Sequence, residues 1–238
     1  MAPLARDIRI IPVDRLELTF EPQAWPYAEA RRADIDAYFA ALCREKPELW
    51  NGRVLLLHRQ VVSEGVFRGA YLETDYASFA AWKHWGWKPS GVHDCFASAA
   101  ILTADGAFLL GVMGAHTLHA GDIYFPSGTP DPADIAGGRV DLDFSVRREL
   151  KEETGLDAAE LREEPGWTTV VAGALIAQVK IFRAGSDAES LRAEILRRLA
   201  SQRQPEFADI RIVRGPADFD AAMPDFVTAF LRHYWRAE

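Results

Sequence analysis

The chain has 238 residues, of which 49% are hydrophobic and 26% are charged, a composition typical of a soluble globular protein. Its formal net charge of -8 at pH 7 provides no basic surface field, so the sequence does not predict binding to nucleic acid. The two cysteines, Cys43 and Cys95, lack metal-ligand spacing, and residues 1–20 contain no apolar run of signal-peptide or membrane-spanning length, so we expect a cytoplasmic protein without a membrane partner.

The N-terminal part combines strand-like and helical patterns. Short apolar runs predict strands, and apolar residues at helical spacing predict helices. The predicted elements are strands at 8–13, 16–20 and 53–59, a helix at 27–46, and a short helix within the aromatic-rich segment 71–87. Pro89, Ser90 and Gly91 then interrupt the pattern. We therefore predict an N-terminal extension at residues 1–90 and a second domain at residues 91–238.

The second part alternates strands and helices. The predicted strands are 96–103, 108–112, 121–126, 168–171, 174–182 and 210–213, and the predicted helices are 141–155, 188–200 and 219–235. Asp105 and Gly106 lie between two apolar runs, a pattern that predicts a hairpin. The alternation predicts an α/β (α+β) fold in which helices cover the faces of a sheet.

Three glutamates, Glu149, Glu152 and Glu153, fall in the second half of the predicted helix 141–155. Helical geometry places them within an arc of about 100° on one face. Like charges at this spacing repel one another, and the helix dipole disfavours anions in the turn before Gly155. One interpretation is a solvated acidic face that neighbouring Arg and Lys residues balance. The other is a site that binds a cation.

The string from Arg148 to Leu156, Arg-Glu-Leu-Lys-Glu-Glu-Thr-Gly-Leu, resembles the second half of the Nudix box, G-x5-E-x7-R-E-U-x-E-E-x-G-U with U aliphatic. All seven restricted positions match. The resemblance implies a Nudix-type α/β/α sandwich with a mixed sheet. It also implies that Glu149, Glu152 and Glu153 bind Mg²⁺ or Mn²⁺, and that Arg148 pairs with one of these carboxylates.

The activity that the resemblance implies is metal-dependent hydrolysis of a phosphoanhydride bond in a nucleoside diphosphate linked to another group. The alternative is an inactive Nudix fold that only binds or senses a nucleotide. The layout of the whole chain is also loosely similar to a UDP-sugar diphosphatase branch of the family. Coenzyme A and ADP-linked compounds are alternative substrates, because boxes with insertions also resemble a coenzyme A diphosphatase branch.

The first half of the box departs from the pattern. Asp134 stands where the family has glycine, and Val140 stands where it has glutamate. The residues Phe-Pro-Ser-Gly at 125–128 resemble the family's Phe-Pro-Gly-Gly entry to this loop. If Gly128 is the box glycine, the loop holds six extra residues, and the resemblance makes the carbonyl of Ser127 a metal ligand.

Loss of the glutamate at Val140 leaves one carboxylate of the box without a counterpart. Asp141 or Asp143 could replace it, although Asp141 also fits the position of a helix N-cap. Glu206, in a predicted loop before a strand, is a candidate general base or an ordinary surface glutamate.

Each further candidate for substrate binding also has an ordinary structural interpretation. His116 and His119 could contact phosphate or could be ordinary loop residues. In the aromatic segment, Tyr76 and Trp82 could stack on a base or sugar, or could pack in a core. Nothing in the sequence decides the oligomeric state, and a homodimer is the commonest arrangement among oligomers.

Overall fold

The computed structural model describes residues 8–47 and 49–237. Within these residues there are six α-helices: α1 (Pro26–Glu29), α2 (Arg32–Glu45), α3 (Tyr76–His84), α4 (Leu142–Thr154), α5 (Ala188–Leu199) and α6 (Asp225–Ala237). None of the helices in this described part has the length and apolarity needed to cross a bilayer. The prediction that residues 1–20 contain no signal peptide concerns residues 1–7 in part, and these lie outside the described residues.

The strands of the described residues form two sheets. They are β1 (Ile8–Val13), β2 (Arg15–Phe20), β3 (Arg53–Ser63), β4 (Val66–Asp75), β5 (Asp94–Leu102), β6 (Phe108–Met113), β7 (Ile123–Tyr124), β8 (Ser127–Gly128), β9 (Ile135–Ala136), β10 (Arg139–Val140), β11 (Arg162–Glu163), β12 (Trp167–Ala172), β13 (Leu175–Arg183) and β14 (Phe207–Val213).

The larger sheet has the strand order β1-β12-β13-β5-β6-β14, with the short strands β7, β8 and β11 attached to it. It is mixed, because β13 and β5 run parallel while the other neighbours are antiparallel. Helices α4 and α5 contact each other and pack on β5 and β14, and α6 packs on β1 and β12. The prediction of a mixed α+β fold is therefore confirmed.

The second sheet has the order β3-β4-β2-β10-β9. Only Asp14 separates β1 from β2, yet β1 pairs with β12 of the larger sheet and β2 pairs with β10 of the smaller one. Both pairings cross the boundary that we predicted at residues 90 and 91. One buried apolar cluster also includes residues of both sheets, among them Leu57, Phe67 and Phe108.

Three details of the predicted N- and C-terminal elements are wrong. The predicted helix 27–46 is two helices, because the chain turns at residues 30 and 31. Strand β4 was not predicted, since both of its faces are largely buried and it lacks the alternation of a half-exposed strand. The last helix begins at Asp225 rather than 219, because residues 216–218 form a separate 3-10 turn.

The predicted bounds of α4 are confirmed. Asp141 caps its N-terminus by accepting a hydrogen bond from the backbone N–H of Phe144 at 2.9 Å. Gly155 ends it with φ of +75°, a left-handed conformation that favours glycine. Leu142, Val146 and Leu150 are buried, so one face of α4 is fixed against the sheet.

Candidate active site

The three glutamates of α4 differ sharply in their surroundings. The side chain of Glu153 is buried, with 3% of the residue exposed. The side chain of Glu149 is 13% exposed, whereas that of Glu152 is 58% exposed and faces solvent. Two carboxylates therefore point inwards from adjacent turns, and the third lies at the rim.

The short strand β8 lies directly against these two carboxylates. The backbone N–H of Ser127 donates a hydrogen bond to Glu153 Oε2 at 2.8 Å. At Gly128, an added Cβ would lie 2.3 Å from Glu149 Oε1, so any side chain would displace that carboxylate. Pairing of Ser127 and Gly128 with Ser98 and Ala97 of β5 anchors the strand in this position.

Glu206 approaches the same carboxylates from the other end of the chain. It precedes β14, and its backbone carbonyl accepts a hydrogen bond from the N–H of Gly114 at 2.7 Å. Its carboxyl group contacts that of Glu153. The structure thus brings Glu206, the candidate general base of the sequence analysis, beside Glu149 and Glu153.

Because three carboxyl groups lie close together, the ionisation of each one is made less favourable by the others. Burial raises the pKa of Glu153 well above its ordinary value, and the neighbouring charges of Glu149 and Glu206 raise it further. Burial likewise raises the pKa of Glu149 to about 7, although Arg148 opposes the shift. A cation bound between these groups would reverse the balance by stabilising their charged forms.

Arg148 lies beside the cluster and is held by several carboxylates. Its Nη1 lies 2.8 Å from Glu149 Oε1 and 3.2 Å from Glu152 Oε2. Its Nη2 donates to both carboxylate oxygens of Asp134, at 3.1 and 3.3 Å. The Nε of Arg148 is buried and has no hydrogen-bond partner among the described residues.

Asp134 supplies a carboxylate to Arg148. Its side chain is fully buried against Arg148, while Val140 is an apolar core residue. Of the two interpretations of Asp141, helix capping is confirmed, and neither Asp141 nor Asp143 pairs with Arg148 among the described contacts. Asp141 caps α4, and Asp143 lies 3.5 Å from Lys180 and 3.9 Å from Arg147. The expanded loop folds back through a 3-10 turn at residues 132–134, which Asp131 caps and Pro132 begins.

A cavity of about 1080 Å³ opens from the carboxylate cluster. Glu153, Glu206, Ser127 and Gly128 line it. The N-terminal part contributes further lining residues, which include Tyr38, Tyr76, Phe79, Lys83 and Trp87. The cavity therefore lies between residues from both sides of the predicted boundary.

The other sequence-derived candidates fall into two groups. Tyr76, His116 and His119 line the cavity. Trp82 is 1% exposed, and its indole N–H donates to the carbonyl of Lys88 at 2.7 Å. Its ring has no free face for a ligand, so Trp82 belongs to the core, which corrects the substrate-binding expectation for this residue. Lys83, Trp87 and Asp94 also line the cavity but carry no motif in the sequence.

The side chains at this site provide the kind of ligand atoms that a hard divalent cation prefers. Mg²⁺ and Mn²⁺ prefer oxygen ligands, which Glu149, Glu153 and Glu206 supply. The bare glycine at position 128 leaves room beside Glu149 that a side chain would fill. Among the described residues, however, no three His, Cys, Asp or Glu side chains already enclose a cation-sized site. These carboxylates therefore suit a divalent cation in their chemistry and lie near one another. Their side chains would have to adjust in order to bind it.

No family model and no curated protein matches the sequence. Among solved structures, a Nudix hydrolase from M. smegmatis is 16% identical, with a TM-score of 0.39 over 61% of this chain and 84% of that one. The MutT protein from Methanosarcina mazei Go1 is 17% identical, with a TM-score of 0.41 over 61% and 94%. A pyrophosphohydrolase from Bacillus subtilis is 14% identical, with a TM-score of 0.35 over 60% and 81%. The likeness concerns the fold alone.

Proposed function

We propose that the protein is a Nudix-type pyrophosphohydrolase that uses a divalent cation to cleave a phosphoanhydride bond. The observation that carries the proposal is the convergence of Glu149, Glu153 and Glu206 beside Gly128 at one end of a large cavity. Buried like charges destabilise a fold unless a bound cation compensates them. Together with the match from Arg148 to Leu156, this arrangement favours a metal site over a solvated acidic face.

Glu149 and Glu153 would hold Mg²⁺ or Mn²⁺, with the Ser127 carbonyl as a further ligand and Glu152 at the rim. When bound, the cation would neutralise charge on the diphosphate and lower the pKa of a bound water. Ser127 orients Glu153 through its backbone N–H, and Arg148 fixes Glu149. Glu206, which is exposed at the cavity and contacts Glu153, is placed to accept a proton from the attacking water.

The substrate that we propose is a nucleoside diphosphate linked to a further group, and a UDP-sugar is the first candidate. A cavity of about 1080 Å³ is large enough for such a molecule. The polar residues and aromatic rings that line the same cavity as the carboxylates favour a substrate with a substantial group beyond the diphosphate. Coenzyme A and ADP-linked compounds remain the alternatives.

The decisive experiment measures product release from UDP-sugars, ADP-ribose, coenzyme A and nucleoside triphosphates with Mg²⁺ or Mn²⁺. We expect turnover that a chelator abolishes, and we expect Glu153→Gln and Glu206→Gln to lower kcat by about 100-fold or more. The matched control is Glu189→Gln, an exposed glutamate in the first turn of α5, which should retain full activity.

Two outcomes would count against hydrolysis. Turnover that survives both the chelator and Glu153→Gln would exclude the proposed metal site. Thermal stabilisation by a nucleotide without product release from any compound would instead favour the alternative, a nucleotide-binding module on the same fold.

A further inference from the structure

The cavity that Glu153 and Glu206 line also carries side chains that the proposed hydrolysis does not use. Lys83 of α3, Trp87 in the following loop and Asp94 at the start of β5 form this part of the cavity wall. It is connected to the carboxylates, because Asp94 accepts a hydrogen bond from Thr129, which directly follows Gly128. A substrate held by the carboxylates would therefore extend towards these residues.

Lys83 takes part in a short chain of polar contacts. Its ammonium contacts the Nε2 side of His119, whose Nδ1 lies 3.1 Å from Asp122 Oδ2. Because Lys83 can only donate, Nε2 accepts and Nδ1 carries the proton that is donated to Asp122. Burial lowers the pKa of His119, and the charge of Lys83 lowers it further, in agreement with this neutral tautomer.

The ammonium of Lys83 retains donors for a ligand. Of its three N–H groups, the structure places only the contact with His119 within hydrogen-bond distance among the described side chains. No carboxylate of the described residues forms an ion pair with it within 4.0 Å, although the charges of Asp94 and Asp122 act on it at longer range. Lys83 is therefore a half-buried donor that points to the cavity wall without a fixed acceptor beyond the imidazole.

Asp94 adds an acceptor to the same wall. The residue is 6% exposed, and its Oδ1 accepts a hydrogen bond from Thr129 Oγ1 at 3.0 Å. With Asp94 and Asp122 nearby, the positive charge of Lys83 is balanced within the wall. A second phosphate, which can only accept hydrogen bonds and brings more negative charge, would find no surplus cation here. A hydroxyl group both donates and accepts, so it complements Lys83 and Asp94 together.

Trp87 supplies an aromatic surface next to these polar groups. Its backbone has φ of +57°, a left-handed conformation that is uncommon for a bulky residue. Its ring stands edge-on to Trp82, with centroids 4.6 Å apart, and to Phe79 at 6.0 Å. These core contacts hold the ring at the cavity, where it can pack against an apolar ring face.

We propose that Lys83, Asp94 and Trp87 form a subsite for an uncharged, hydroxyl-rich group, a sugar, on the far side of the diphosphate from the nucleoside. Lys83 and Asp94 hydrogen-bond the sugar hydroxyls, and Trp87 packs on the apolar face of the ring. This subsite deepens the proposed function and rests on it, since the carboxylate end must hold the diphosphate. It selects nucleoside diphosphate sugars over substrates whose distal group bears a phosphate.

The test compares UDP-glucose with UTP, which carries no sugar beyond its phosphates, in the presence of Mg²⁺ or Mn²⁺. We expect Lys83→Met and Trp87→Leu to lower kcat/KM for UDP-glucose by about tenfold, mainly through KM, because each removes a contact with the bound sugar. Turnover of UTP should change by less than about threefold. Lys88→Met is the matched control, because Lys88 is exposed on the same loop and does not line the cavity among the described residues.

Equal losses of kcat/KM with UDP-glucose and with UTP would overturn the sugar subsite. The wall would then bind the nucleoside or support the fold. The proposed hydrolysis would not be affected by this result. If neither compound is hydrolysed by the wild-type protein, calorimetric titration with UDP-glucose and with UDP keeps the test independent of turnover. Weaker binding of UDP-glucose alone in Lys83→Met supports the subsite, and unchanged binding of both overturns it. Asp94→Asn, which keeps the shape of the side chain, replaces any variant whose melting curve shows misfolding.

Discussion

Oδ2 of Asp134 lies 3.1 Å from Nη2 of Arg148, although fourteen positions separate the two residues along the chain. The Asp134 side chain is fully buried, and the Arg148 side chain is 22% exposed. On its other side, the same guanidinium contacts Glu149 at 2.8 Å. The expanded loop therefore delivers a carboxylate that holds Arg148 against the proposed metal site.

The first prediction concerns the loss of this carboxylate. Asp134→Asn leaves Arg148 with a weaker, uncharged partner on this side, while Glu149 and Glu152 still pair with it. Burial raises the pKa of Asp134, which offsets part of the ion pair's contribution, so the net cost should be about 1–2 kcal/mol. For a chain of this size, the melting temperature should fall by about 3–6 °C. Because Arg148 then holds Glu149 in place less firmly, kcat should fall as well. Differential scanning calorimetry and steady-state kinetics check the two effects.

The control for this prediction is Asp143→Asn on the exposed side of α4. Asp143 lies 3.5 Å from Lys180 and 3.9 Å from Arg147, and such surface pairs contribute less than about 1 kcal/mol. The control should therefore melt within about 2–3 °C of the wild type. An Asp134→Asn protein as stable and as active as this control would show that Asp134 does not hold Arg148.

The second prediction concerns the close approach of Gly128 to Glu149. In Gly128→Ala, the new Cβ would lie 2.3 Å from Glu149 Oε1, so the carboxylate must move. A displacement of a catalytic group by about 1 Å can lower activity by about 100-fold. We expect this loss in kcat/KM, because the displaced carboxylate no longer faces Gly128. Gly185→Ala, whose Cβ would meet no atom within 4 Å, should keep full activity.

The sequence was sufficient to predict most elements of the second part of the chain. Helix α4 follows from three local signals, namely the N-cap Asp141, the C-terminal Gly155 and the apolar face that they enclose. The hairpin of β5 and β6 follows from the Asp-Gly turn between apolar runs. The buried strand β4 lacks the alternation that marks a half-exposed strand, so its pattern carried no comparable signal.

Apart from Ser127, Gly128 and Glu206, which the family resemblance suggested, the site was predictable only where its residues are close together in the chain. Glu149, Glu152 and Glu153 are detectable because helix geometry converts their spacing into a shared face. Asp134 reaches Arg148 through a loop without a regular pattern, and Lys83 and Asp94 reach the cavity through the packing of α3 and β5. Such contacts depend on tertiary structure, and no local periodicity encodes them.

The third prediction concerns the stability of the metal-free protein. Burial and the neighbouring carboxylates raise the pKa of Glu153, so its ionised form destabilises the fold at pH 8. Glu153→Gln should therefore melt at a higher temperature than the wild type when divalent cations are absent. Saturating Mn²⁺ should raise the melting temperature of the wild type by about 5–10 °C but should leave that of the variant nearly unchanged. An equal Mn²⁺ shift in both proteins would place the cation elsewhere, and Glu189→Gln should behave as the wild type.

The fourth prediction concerns the pH dependence that Asp94 introduces. Burial raises the pKa of Asp94 from 3.8 to about 6, while Lys83 opposes the shift. A raised pKa in the folded protein means that the unfolded chain releases this proton first, so stability is lost as the pH rises from about 4 to about 6. Asp94→Asn stays neutral and keeps an acceptor for Thr129, so it avoids this loss.

The free energy of unfolding of Asp94→Asn should match that of the wild type near pH 4 and exceed it increasingly up to pH 6, by at most about 3 kcal/mol. Urea denaturation of both metal-free proteins across this range measures the difference. Asp187→Asn provides a control in which the stability difference changes with pH in the opposite direction. The backbone N–H of Ser190 lowers the pKa of Asp187, so its contribution to stability is present above the unfolded pKa and is lost as the pH falls. A difference for Asp94→Asn that does not change with pH would show that Asp94 has the same pKa in the folded and the unfolded protein, which would contradict the shift that its burial produces.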